Sequence, residues 1–174
     1  MKGLHCSLLN CQTLTDKKLD ILNDLTQDDH ISFFTEVNIQ SPEHLNVLQA
    51  DETYIWKFIP KENDFQQRIA LRYPAYLKDI ISFELLKYEY ITQERSQKDQ
   101  CCAQYMVFRF RFDHLDYRVA LVYRAPDTDM EVNTSLLYAY IARYVPHLLV
   151  GDVNLDYSKK IMRHSKPTHL ILDI

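Results

Sequence analysis

Apolar residues recur along this chain with two periods, and the switches between them mark out its elements. Residues 4–9 are largely apolar and predict a short strand, with the polar Asn10-Cys11-Gln12 at its end. Thr15 is placed as a helix N-cap with Asp16 in the first turn, and Leu19, Leu22 and Leu25 form one apolar face behind it. Ile31-Ser32-Phe33-Phe34 predicts a second strand, ending at Thr35-Glu36. Ser41-Pro42-Glu43 is a helix start: a cap, a proline at the first helical position and an acid in the first turn. Leu45 and Leu48 supply that helix's inner face.

Residues 54–59 and 68–73 predict two strands flanking a polar turn, and 80–91 predict a further strand. The charged and polar stretch 92–100 predicts an exposed loop. From Tyr105 to Phe112 the pattern alternates, with Phe108, Phe110 and Phe112 on one face and Arg109 and Arg111 on the other. Residues 113–116 predict a turn and 117–123 the return strand of a hairpin. Leu136, Leu137, Tyr140, Ile141 and Tyr144 make 131–145 an amphipathic helix, and Leu148–Val150 a buried strand running into Gly151. The order is β-α-β-α, several antiparallel strands, then α-β. It predicts an α/β fold of mixed sheets, in one domain over residues 1–174.

Composition narrows the function classes. Hydrophobic content of 47% and charged content of 25% are ordinary for a soluble globular chain. Only two glycines occur, Gly3 and Gly151, which excludes a glycine-rich phosphate loop and makes Gly151 conspicuous. Four cysteines (Cys6, Cys11, Cys101, Cys102) form no CxxC pair, so no zinc site is expected. The N-terminus has no signal-sequence pattern and no apolar run reaches transmembrane length. An intracellular protein, nuclear or cytoplasmic and not secreted, with reduced thiols and no membrane association is expected. The net charge of −4 does not advertise nucleic-acid binding, although basic residues gather in the second half, including Lys159, Lys160, Arg163 and Lys166.

Candidate chemistry collects where strands end. Gly151-Asp152-Val153-Asn154 puts a carboxylate and an amide just past an apolar strand. Asn10 follows the first strand, Glu36 the second, and Tyr123-Arg124 the hairpin. Acid, amide, phenol and guanidinium at one sheet edge suit a phosphate ester and a hard divalent cation. Each has an ordinary alternative: a capping Asn, a surface acid, a core tyrosine among twelve, a surface arginine.

In their order along the chain these residues resemble the endonuclease/exonuclease/phosphatase superfamily, the metal-dependent phosphodiesterases of apurinic-endonuclease and deoxyribonuclease I type. Gly151-Asp152-Val153-Asn154 resembles its GDxN motif, Thr35-Glu36 its metal-binding Glu, and Asn10 its first-strand Asn. Tyr123-Arg124-Ala125-Pro126 is similar to the YRPP-type segment of non-LTR retrotransposon endonuclease domains, and 166–174 to their PTR…LDL segment. The resemblance implies a two-sheet β-sandwich flanked by helices, deoxyribonuclease I-like and lacking its final strands. It further implies Mg²⁺ (or Mn²⁺) held by Glu36 and Asp173. Asp152, Asn154, Asn10 and Tyr123 would be the catalytic group, and Arg124 and Thr168 would touch substrate.

The chain departs from the family where a terminal Ser-Asp-His would carry the phosphate-contacting His; His164 and His169 do not sit in that pattern. It also carries Gln66-Gln67-Arg68-Ile69-Ala70 where the family has glycine-rich sequence. The expected function is a retroelement-type DNA endonuclease that nicks with an activated water. The alternatives are a truncated, catalytically impaired relative binding nucleic acid or protein, and a phosphatase on a small phosphorylated molecule or lipid. Missing terminal strands would expose a sheet edge through which copies could associate.

Overall fold

Nine strands form because alternating apolar positions let each one bury a face, and two sheets result because those faces need each other. A computed structural model describes residues 4–39, 41–95, 98–112, 114–126, 128, 137–139, 141–154 and 172–173. One sheet holds β1 (Cys6–Asn10), β2 (Ile31–Thr35), β4 (Ile69–Pro74) and β3 (Tyr54–Phe58), in the order β1-β2-β4-β3. The other runs β5 (Ile81–Arg95), β6 (Lys98–Phe112), β7 (Leu115–Arg124), β8 (Leu148–Asp152) and β9 (Leu172–Asp173), in sequence order. The pairs β1–β2 and β7–β8 are parallel, and all the others are antiparallel.

The core between the sheets is built from Phe33, Leu71, Met106, Phe108, Phe110, Leu121 and Val150. Outside the first sheet, helices α1 (Asp16–Leu25) and α2 (Pro42–Gln49) cover Phe34, Trp56 and Ala70 through Leu22 and Leu48. Outside the second, Leu137 and Ile141 cover Tyr105, Val107, Ala120 and Val122. Residues 137–139 and 141–142 are helical, and 131–136 of the expected helix lie outside the described residues. The layers are therefore helix, sheet, sheet, helix, the expected deoxyribonuclease I-like sandwich.

Local signals were met to different degrees. Ser41 caps α2, its hydroxyl accepting from the His44 N–H at 3.2 Å. Thr15 is the N-cap of α1 but its side chain makes no capping bond. Leu25 is 65% exposed, because three leucines spaced by three residues drift around a helix with a 3.6-residue turn. Of the expected loop at 92–100, residues 92–95 and 98–100 are instead strand: Thr92 pairs with Cys101 and Arg95 with Lys98. Polar residues there report exposure rather than loss of pairing. Once Ile91 and Ala103 are buried and paired, ladder bonds resume past a register shift and extend the hairpin without apolar side chains.

Arg72 on β4 is fully buried under α1. Its guanidinium donates to Asn23 Oδ1 at 2.6 Å and Thr26 Oγ1 at 2.8 Å, and lies 3.9 Å from the Tyr54 ring centroid. Burial depresses its pKa, and the aromatic faces offset part of that cost. Arg72→Ala would leave Asn23 and Thr26 facing a cavity, so we expect a loss of about 2–4 kcal/mol in urea denaturation, with Arg72→Met costing less because it refills the volume.

Candidate active site

Strand direction brings the chemistry to one end of the sandwich. Because β1 and β2 are parallel, Asn10 and Thr35 are register partners, and Glu36 follows at the same edge. Because β4 is antiparallel to β2, its start pairs there too, Ile69 with Thr35. In the facing sheet, parallel β7 and β8 set Tyr123 beside Asp152, and antiparallel β6 sets Gln104 beside Tyr123.

The two sheets meet through side chains at this edge. Asn10 Nδ2 donates to Asp152 Oδ2 at 3.0 Å, linking residues 142 positions apart. Asn10 is itself oriented, since its Oδ1 accepts the Gln12 N–H at 3.0 Å. The second oxygen of Asp152 accepts the Asn154 N–H at 3.0 Å. Asp152 is thus a buried carboxylate with both oxygens aimed by amides, 5% exposed. Glu36 is half-buried and, among the described residues, its carboxylate makes no hydrogen bond or ion pair.

Tyr123 is 3% exposed and belongs to the inter-sheet core, yet its hydroxyl reaches the edge. It accepts from Arg68 NH1 at 3.0 Å. Burial pushes the phenol pKa up, Arg68 opposes this, and the Glu36 and Asp152 carboxylates add to the rise. Tyr123 therefore keeps its proton at neutral pH and is a donor.

Backbone geometry is unusual in the same place. Gln12 (φ 46°), Thr13 (φ 76°), Glu36 (φ 53°) and Asn154 (φ 45°) all adopt left-handed conformations. Non-glycine residues held this way cost of order 1–3 kcal/mol each and cluster at functional sites. Pairing around them holds the geometry: the Thr13 N–H donates to the Glu36 carbonyl at 2.8 Å, and Lys18 Nζ donates to the Cys11 and Gln12 carbonyls at 2.6 and 2.8 Å.

Several expected residues take other positions. Arg124, expected to touch substrate, is fully buried, and its guanidinium donates to the carbonyls of Val153 (3.3 Å), Asn154 (3.2 Å) and Thr128 (2.7 Å). Asn154 returns the contact, its Nδ2 donating to the Arg124 carbonyl at 2.6 Å. The two residues clamp the exit of β8 to the exit of β7, so the amide nitrogen of Asn154 is turned into protein and not toward a ligand. Arg124, expected at a phosphate, is seen supporting the loop that follows Asp152. Asp173, expected at the metal, is placed by its backbone alone. Its backbone pairs with Leu148, at the opposite end of β8 from Asp152 and about 13 Å along the strand. Thr168, His164 and His169 lie outside the described residues.

Sequence reasoning missed Arg68 and Gln104. The stretch 66–68 had been noted for lacking glycine, but nothing local said that its arginine would meet Tyr123. Gln104 is buried and clamps that stretch, accepting the Arg68 N–H at 2.8 Å and donating to the Gln66 carbonyl at 2.6 Å.

Among the described residues, no cluster of three or more His, Cys, Asp or Glu could hold a metal. The donor set does fit Mg²⁺, a hard cation that takes one or two carboxylates, keeps several waters and shares the substrate's phosphate oxygens. The unpaired Glu36 carboxylate is the group that suits it. No helix among the described residues is long and apolar enough to cross a membrane.

No family model matches the sequence, and no curated protein matches it. Solved structures do. The chain is similar to D. rerio TDP2 complexed with single strand DNA product, with TM-score 0.60, 14% identity, and coverage of 91% of this chain and 64% of that one. It is similar to the mannosyl-6-phosphatase Bt3783 of Bacteroides thetaiotaomicron, with TM-score 0.60, 12% identity, and coverage of 90% and 67%. The endonuclease domain of TRAS1, a telomere-specific non-LTR retrotransposon, superposes with TM-score 0.53, 12% identity, and coverage of 87% and 60%. The chain thus spans about 64% of the length of the first of these. The likeness is one of fold, the deoxyribonuclease I-like sandwich, and it extends to an endonuclease/exonuclease/phosphatase family protein from Bacteroides thetaiotaomicron, with TM-score 0.57 and 12% identity.

Proposed function

We propose that this chain, which has the deoxyribonuclease I-like fold of the endonuclease/exonuclease/phosphatase superfamily, is a divalent-metal-dependent phosphodiesterase acting on DNA, of the retroelement endonuclease kind. The observation that carries this reading is the Asn10–Asp152 hydrogen bond, which joins the two sheets at the edge where Glu36 stands unpaired. The superposition on a DNA-bound TDP2 supports nucleic acid as the substrate class.

In this reading Asp152 accepts a proton from the attacking water. Asn10 and the Asn154 N–H hold its two oxygens so that the water is delivered from one direction. Tyr123 donates its hydroxyl proton to a non-bridging phosphate oxygen, because its oxygen already accepts from Arg68. Mg²⁺ or Mn²⁺, held by Glu36, would supply Lewis-acid polarisation of the phosphoryl oxygen.

Supercoiled plasmid incubated with Mg²⁺ or Mn²⁺ tests the proposal. Wild type should nick, and Glu36→Ala should fall at least about 100-fold while still binding DNA without metal. Equal nicking by wild type, Glu36→Ala and Asp152→Ala would mean a contaminant and end the assignment. A second reading, a binding module without turnover, draws on Asp173 lying at the far end of β8 from Asp152. It predicts DNA binding with no nicking by any variant. A phosphatase, suggested by the likeness to Bt3783, would release phosphate from a sugar phosphate and leave plasmid intact.

A further inference from the structure

Arg68 stands at the entry to β4, at the same edge as Asn10, Glu36, Tyr123 and Asp152. Its backbone is fixed by Gln104, and its side chain is half-buried. One guanidinium nitrogen donates to the Tyr123 phenol at 3.0 Å, and the guanidinium carbon lies 5.3 Å from that ring's centroid. Beyond these, the Arg68 guanidinium makes no hydrogen bond or ion pair with the described residues. Glu36 and Asp152 are near enough to act on the same phenol, yet neither pairs with Arg68.

An arginine that shares a phenol with two carboxylates has an ion pair as its ordinary alternative. This one is held on a neutral phenol, with the rest of its donor fork unused by any described residue. A guanidinium fork matches the oxygens of a phosphate, and stacking on an aromatic ring fixes its plane at little entropic cost. We propose that Arg68 binds the anionic phosphate of the substrate, forming with the Tyr123 hydroxyl a two-part cradle for the non-bridging oxygens. This rests on the phosphate-ester reading above. The ligand class is a phosphodiester or phosphomonoester, and the cation is this chain's own, standing where the resembled family has glycine-rich sequence.

The test separates binding from turnover. Binding of a fluorescein-labelled single-stranded oligonucleotide is followed by anisotropy in EDTA over a range of salt, for wild type, Arg68→Met and Arg68→Lys. Plasmid nicking in Mg²⁺ and thermal melting are measured on the same proteins. Arg68→Met should weaken the oligonucleotide about 10- to 100-fold and raise KM more than it lowers kcat. The slope of log affinity against log salt should fall by about 0.7, the value for one lost phosphate contact on a single strand. Arg68→Lys should bind with intermediate affinity, keeping the charge and losing the fork, and melting should stay within a few degrees. Unchanged affinity and salt slope in Arg68→Met overturns the inference, as does a loss matched by a fallen melting temperature in both variants. If wild type binds through Arg68 but does not nick, the nuclease reading fails while the phosphate grip stands. If wild type nicks and Arg68→Met nicks with the same KM, only the Arg68 inference fails.

Discussion

Gly151→Ala is expected to prevent stable folding. Gly151 lies inside β8, paired with Val122 of the parallel neighbour β7. A Cβ placed there would stand 2.0 Å from the Val122 carbonyl oxygen, 2.8 Å from its carbonyl carbon and 2.9 Å from its nitrogen. All three are backbone atoms, so no side chain can swing aside to make room. The residue also adopts φ +153°, where an L side chain is strained whatever the space. Relief would require prising β8 from β7, and with it the only strand contact that holds Asp152 beside Tyr123 among the described residues. We expect a cost above about 4 kcal/mol, a large share of the 5–15 kcal/mol that stabilises a typical domain. Circular dichroism melting would show no cooperative transition or one lowered by well over ten degrees. A melt within a few degrees of wild type would show that the two backbones are not so close.

Asp152→Ala is expected to have the opposite signature: an intact fold and nicking reduced by about 10²–10⁴-fold. Asp152→Asn should be nearly as impaired, because the amide keeps the shape but cannot take the proton. Asn10→Ala should lose less, on the order of tenfold, since it aims Asp152 without accepting the proton. Because the two act as one unit, Asn10→Ala added to Asp152→Ala should cost little more than Asp152→Ala alone. Strictly multiplicative losses in steady-state nicking would mean that Asn10 works independently of the carboxylate.

The sandwich was legible because its evidence is local. Alternation over 105–112 put Phe108 and Phe110 in the core and left Arg109 and Arg111 outside, where they pair with Glu84 and Asp116. Ser41-Pro42 marked α2 through groups only three residues apart. The polar ribbon at 92–95 was read as loop because its pairing is set by neighbours already in register, which a window of sequence does not contain. Gly151 reads in sequence as a place for a sharp turn or a close backbone approach, without the neighbour that approaches it. Its reason, the carbonyl of Val122, is 29 residues away in sequence.

The candidate site divides along the same line. The strand-end residues Asn10, Glu36, Tyr123 and Asp152 follow from the sequence, because the end of an apolar run followed by a polar group is visible one residue at a time. Which groups then face each other was decided by tertiary structure. In sequence Asn154 reads as a catalytic group and Arg124 as a substrate contact, and in the fold they bind each other. The resemblance implies Asp173 as a metal ligand, and antiparallel pairing sets its backbone beside Leu148, at the far end of β8 from Asp152. Arg68 reads as an ordinary strand-start charge until β4 delivers it to Tyr123 on the facing sheet. The physical reason is one of range: periodicity and capping act over a few residues, whereas the direction of a guanidinium or a carboxylate is set by donors and acceptors that only chain-distant packing brings within 3 Å.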